Sequence, residues 1–144
     1  MQTIGSKPDG GAWQIAVKNP HNKEPMMVVS VRDKAVVTSG GYERYFEQGG
    51  KTYWHIMDPK TGRPADSGLL AVTVIGEDGA VCDGLSTSLF VMGLEKAAAL
   101  WAESSDFEAI FIAADGTVYI TDGLKEDFSL LSDYADTTVQ VITR

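Results

Sequence analysis

Apolar residues along the chain fall mostly into short runs with the period of two that a half-buried strand requires. AWQIAV at 12–17 follows a loop-like GSKPDGGA at 5–12 and reads as a first strand. MMVVSV at 26–31 and AVVTS at 35–39 flank RDK at 32–34, a spacing that predicts a hairpin. Gly40 and Gly41 break the pattern, and YERYFEQGGKTYWHIMD then predicts a second hairpin turning at EQGG, 47–50. LLAVTVIG at 69–76 is rich in β-formers, and EAIFIAAD at 108–115 with TVYIT at 117–121 predicts a last hairpin around Gly116.

One stretch departs from this period. VCDGLSTSLFVMGLEKAAALWAES, 81–104, reads as helical with an interruption at Gly93. Strands, then two helices, then strands define an α+β chain: a mostly antiparallel sheet with two helices packed on one face. Residues 1–144 make a single domain, and the tail 122–144 receives no assignment beyond a final strand at TTVQVI.

Composition changes this picture little. A 44% apolar, 22% charged chain of 144 residues has enough hydrophobic material for one core. Its formal net charge of -8, with no Lys/Arg cluster, argues against nucleic acid and anionic membranes as partners. An anionic ligand would need positive charge from elsewhere, such as a divalent cation. Cys82 is the sole cysteine, which excludes an internal disulfide. MQTIGSKPDGGAWQIAV lacks the pattern of a signal peptide, and the chain reads either as a portion of a longer protein or as a naturally short one.

Three stretches carry candidate chemistry. If YWHIMD is a strand, Trp54 and Ile56 share one face while Tyr53, His55 and Met57 share the other. His55 is then either a half-buried, hydrogen-bonded sheet histidine or a general base, since neutral imidazole titrates near physiological pH. The DPKTGRP that follows is explained by turn chemistry. On a helix beginning near Asp83, Ser86 and Thr87 lie three and four positions on, and their oxygens suit Mg²⁺. Asp followed by Ser/Thr equally describes a helix N-cap. In TSGGYERYF, the Ser-Gly-Gly turn could cradle a phosphate or serve only as a turn, and Arg44 could meet a phosphate or pair with Glu43 or Glu47.

Taken in order, TSGGYERYF, GKTYWHIMDPKTGRPA, AVTVI and CDGLSTSLFVMG resemble the ApbE family of FAD:protein FMN transferases, from about residue 13 to 121. The resemblance implies a T-fold-like architecture and transfer of the FMN part of FAD, with loss of AMP, to a threonine of an acceptor flavoprotein, assisted by Mg²⁺. Some members instead hydrolyse FAD. By that resemblance Asp83 and Thr87 match metal ligands, Ser86 a position that is metal-linked in some members, Met57 a residue touching FAD, and His55 the base that deprotonates the acceptor. Cys82 and Gly84 stand where the family usually has alanine.

The resemblance covers only the C-terminal half of a typical member. The N-terminal half, with most FAD contacts, has no counterpart here. That implies a catalytically incomplete chain, with surfaces that favour a homo-oligomer. The alternative is a non-catalytic module that binds a flavin nucleotide or metal. Family members are commonly exported, lipid-anchored lipoproteins, which sets the expectation for location.

Overall fold

The computed structural model describes all of residues 1–144. Its elements are β1 (Trp13–Lys18), β2 (Pro25–Val31), β3 (Ala35–Gly40), β4 (Tyr45–Gln48), β5 (Lys51–Trp54), β6 (Met57–Asp58), β7 (Arg63–Pro64), β8 (Leu69–Gly76), α1 (Gly79–Met92), α2 (Leu94–Glu103), β9 (Phe107–Ala113), β10 (Val118–Thr121), β11 (Phe128–Leu130) and β12 (Val139–Ile142). No helix is long and apolar enough to cross a membrane.

A five-stranded sheet in the order β12-β10-β9-β8-β3 forms the middle layer. Every pairing is antiparallel except that of β12 with β10. Alternation in β8 and β9 sends Val72, Val74, Ala109 and Phe111 to one side, where they pack with Leu89, Phe90, Ala97 and Trp101 of the helices. Ala71, Ile75, Ile110 and Ile112 face the other side and meet Val17, Met27, Val29 and Val31. Those last four belong to β1 and β2, which with β11 form a three-stranded sheet in the order β1-β2-β11. The α+β class, the helices on one face and the mostly antiparallel sheet are as the sequence predicts.

Two expectations need correction. MMVVSV and AVVTS do not pair with each other: β2 pairs with β1 and β11, and β3 pairs with β8. The turn between them exists, with Asp33 at φ 50°, but there the chain passes from one sheet to the other. Alternating apolarity specifies which face of a strand is buried and not which neighbour it takes. The tail also holds more than one strand. Phe128, Ser129 and Leu130 pair with Val29, Val28 and Met27, completing the small sheet.

The first helix begins earlier than expected. Asp78 is the N-cap of α1, its carboxylate accepting from the backbone N–H groups of Ala80 at 2.8 Å and Val81 at 3.1 Å. Glu-Asp-Gly reads locally as a turn, yet the aspartate closes the open end of a helix. Gly93 ends α1 and begins α2 with φ 79° and ψ 166°, a region open essentially to glycine alone. A Cβ there would also lie 3.3 Å from the Ser67 carbonyl oxygen.

Gly93→Ala is therefore expected to lower unfolding free energy by about 1–3 kcal/mol, read from urea midpoints. Cys82 yields a second expectation. It is 1% exposed, and burial, helped by the Asp78 carboxylate, raises its thiol pKa. A raised folded-state value means that the stability held by the neutral thiol is intact below the ordinary thiol pKa, about 8.5, and is lost as pH climbs through the raised one. Native protein should accordingly alkylate far more slowly than urea-unfolded protein at alkaline pH, and Cys82→Ala should flatten the alkaline fall in stability.

Candidate functional site

Helix α1 places Asp83, Ser86 and Thr87 within its second and third turns, three and four residues apart and so on adjoining faces. With Asp78 as the cap, none of the three is needed to close the helix end. Their exposures differ sharply. Ser86 is fully buried, whereas Asp83 and Thr87 are exposed. The Asp83 carboxylate has neither a hydrogen-bond nor an ion-pair partner, the chain's only salt bridge being Lys7 to Asp9.

Ser39, near the end of β3, joins this group. Its Oγ lies 2.7 Å from Ser86 Oγ and 2.9 Å from Thr87 Oγ1. Ser86 Oγ is also 3.0 Å, and Thr87 Oγ1 3.5 Å, from the Asp83 carbonyl oxygen. The sequence offered a sign of Ser39 in TSGG, where attention falls on the glycines. Those glycines have steric reasons. A Cβ on Gly40 would collide with the Tyr42 ring, and one on Gly41 would come within 2.9 Å of the Trp54 indole.

The strand expected through YWHIMD is broken at its centre. β5 ends at Trp54, His55 lies in a bend, and Met57 opens β6. The inside–outside alternation survives: Ile56 is 4% exposed, while His55 is exposed and Met57 is 46% exposed. His55 is thus not the half-buried sheet residue that was one of its two readings. Its backbone N–H donates to the Arg44 carbonyl at 3.1 Å, and its Nδ1 lies 3.3 Å from the same oxygen. A carbonyl only accepts, so Nδ1 carries the proton in the neutral ring and the lone pair sits on Nε2. The Arg44 guanidinium makes no ion pair with Glu43 or Glu47.

Trp54 connects the two groups. Its Nε1–H donates to the Ala65 carbonyl at 3.0 Å, and its ring meets Phe90 edge-on at 6.2 Å. Phe90 follows Thr87 by three residues, Gly41 follows Ser39 by two, and His55 is Trp54's neighbour. The segment between Ile56 and Ala65 closes as a small turn, with Met57 opposite Pro64 and Gly62 at φ 65°. Beside Trp54 a cleft of about 290 Å³ is lined by Tyr42, Tyr45, Leu70 and Phe90 among others. Burial, then the Glu43 carboxylate, raises the Tyr42 phenol pKa. On the β4–β5 ribbon, Phe46 stacks on Tyr53 at 5.1 Å and remains 60% exposed.

The chain matches one family over residues 1–111 and belongs to it: the ApbE family. It is 40% identical over 121 residues to the FAD:protein FMN transferase of Treponema pallidum, covering 83% of this chain and 33% of that protein. With the FAD:protein FMN transferase of Klebsiella pneumoniae it shares 38% over 134 residues, 92% of this chain and 41% of the relative. Among solved structures, the ApbE protein of Thermotoga maritima superposes with a TM-score of 0.77 at 35% identity, covering 85% of this chain and 40% of that one. Flavin transferase ApbE from Vibrio cholerae gives 0.70 at 32% identity over the same shares. The chain spans between a third and about two-fifths of these relatives.

Replacing Trp54 by Phe removes the donor to Ala65 and leaves a carbonyl unpaired. The expected cost is about 1–3 kcal/mol in urea unfolding, with faster amide exchange at Ala65, whose N–H bonds to the Ile56 carbonyl at 2.9 Å.

Proposed function

We propose that this chain is the cation-binding, histidine-bearing part of a flavin transferase that moves FMN from FAD to a threonine hydroxyl of an acceptor flavoprotein and releases AMP. The observation that carries the reading is the exposed face of α1, where a carboxylate without a partner and a threonine hydroxyl stand four residues apart. The relatives are named for transfer of FMN from FAD to a protein, and they are the source of FAD and a protein acceptor as substrates.

Mg²⁺ suits these residues by their chemistry. They offer hard oxygens, and no group of three or more His, Cys, Asp or Glu side chains exists to build a closed cage. Mg²⁺ tolerates a sparse set because it keeps waters and takes ligand phosphates alongside one or two carboxylates. Asp83 and Thr87 would hold it, with Ser86 beneath them as a buried support. When bound, it would supply positive charge to the pyrophosphate in a chain whose own net charge is -8.

His55 then acts as the base. Its Nε2 lone pair takes the acceptor threonine proton as the hydroxyl oxygen bonds to the phosphorus of the FMN portion. The pyrophosphate P–O bond breaks, and AMP leaves with the bridging oxygen. Nδ1–H stays fixed on the Arg44 carbonyl throughout, which holds the ring's orientation. Met57, exposed beside it, offers a soft apolar contact for the flavin.

The alternative reading is a module that binds flavin nucleotide or metal without turnover. Grafting this chain in place of the matching segment of the Treponema pallidum relative separates the two. With FAD, Mg²⁺ and an acceptor protein, the chimera should attach flavin covalently, and His55→Ala should slow attachment by about 10²–10⁴-fold. Asp83→Ala should abolish it at low Mg²⁺ and recover in part at high Mg²⁺. Flavin binding without attachment would establish the module, and equal attachment by both variants would remove the mechanism.

A further inference from the structure

Three hydroxyl protons serve the four oxygen contacts among Ser39, Ser86, Thr87 and the Asp83 carbonyl. Each hydroxyl donates once, so one contact must go without a proton. In one arrangement Ser86 donates to the Asp83 carbonyl at 3.0 Å, Ser39 to Ser86 at 2.7 Å and Thr87 to Ser39 at 2.9 Å, leaving out the 3.5 Å contact. The reverse direction satisfies 2.7, 2.9 and 3.5 Å and forfeits the 3.0 Å bond. Hydroxyl hydrogen bonds weaken towards 3.5 Å, and every other arrangement keeps that contact at the loss of a shorter one, so the first arrangement wins.

In that arrangement Thr87 donates inward and accepts nothing. Its lone pairs are left facing solvent on the side of the helix that carries the Asp83 carboxylate. Reversed, Ser39 would donate to Thr87 and consume a lone pair that a cation needs. We propose that Ser39 is a positioning residue: by accepting the Thr87 proton it turns the Thr87 oxygen outward as a cation ligand. Ser86 fixes the direction of the chain from below, because it is buried and its proton is committed to the helix carbonyl. The inference rests on the cation reading above and goes beyond it in assigning a role to β3.

Mn²⁺ alone, titrated into the chain and followed by its electron paramagnetic resonance signal, tests this without turnover. Ser39→Ala should weaken Mn²⁺ binding about 10–100-fold, the usual effect of losing a partner that orients a ligand. Ser39→Cys, which keeps the volume but accepts hydrogen bonds poorly, should weaken it likewise, and Ser39→Thr should retain wild-type affinity. Urea midpoints for each variant separate this from loss of the strand–helix tie, which would lower stability and leave the affinity of the folded protein unchanged. Wild-type affinity in folded Ser39→Ala or Ser39→Cys overturns the role of Ser39 alone. Absence of Mn²⁺ binding by the wild type, or undiminished binding by Asp83→Asn, overturns the cation site and the positioning role with it.

Discussion

Coverage of the middle sheet on both faces is the constraint from which the rest of this architecture follows. β8 and β9 are almost wholly buried, and their buried apolar side chains divide between two separate cores. A strand packed on both sides cannot present chemistry from its middle, because every side chain is already committed to packing. Reactive groups can stand only at strand ends, on the outer surfaces of the helices, or on ribbons that leave the sheet. Ser39 lies near the end of β3, Asp83 and Thr87 lie on exposed parts of α1, and His55 lies in a bend beyond β5. The candidate site occupies the places that the packing leaves open.

The same two-sidedness decided what could be read from the sequence. Helices and strands were legible because their periods differ: β9 alternates Phe107, Ala109 and Phe111 against Ile110 and Ile112, while α1 and α2 do not alternate. Pairing was less legible. β2 and β3 are both short, apolar and joined by three residues, which describes a hairpin as well as it describes a chain crossing between stacked sheets. Local pattern lacks the information to choose, since the choice depends on β8 and β11, distant in sequence. β11 escaped for the opposite reason: FSL has one turn of alternation, too little to register against acidic surroundings.

The candidate site is legible in the sequence in its residue types and only partly in its geometry. His55, Met57, Asp83, Ser86 and Thr87 stand out in the chain as candidates, and the alternation that buries Ile56 and exposes His55 and Met57 follows from the local pattern. What the sequence could not supply was the cap. Reading Asp83 as near the helix start left capping as a sufficient explanation for its carboxylate; placing the cap five residues earlier, at Asp78, removes that explanation. Ser39 was invisible as a partner because its contacts with Ser86 and Thr87 span 47 and 48 residues.

On the proposed reading, the neutrality of Thr87 has a physical consequence. One carboxylate offsets half of the charge of a divalent ion, and a hydroxyl offsets none, so the ion keeps net positive charge for an anionic ligand. A second carboxylate at that position would bind the ion more tightly in the absence of nucleotide and weaken the attraction that the nucleotide needs. It would also accept a hydrogen bond from Ser39 instead of donating one to it, drawing the Ser39 proton away from Ser86. On that reading, a neutral oxygen ligand anchored by Ser39 leaves the ion loosely held by the protein and open to the substrate's own phosphates.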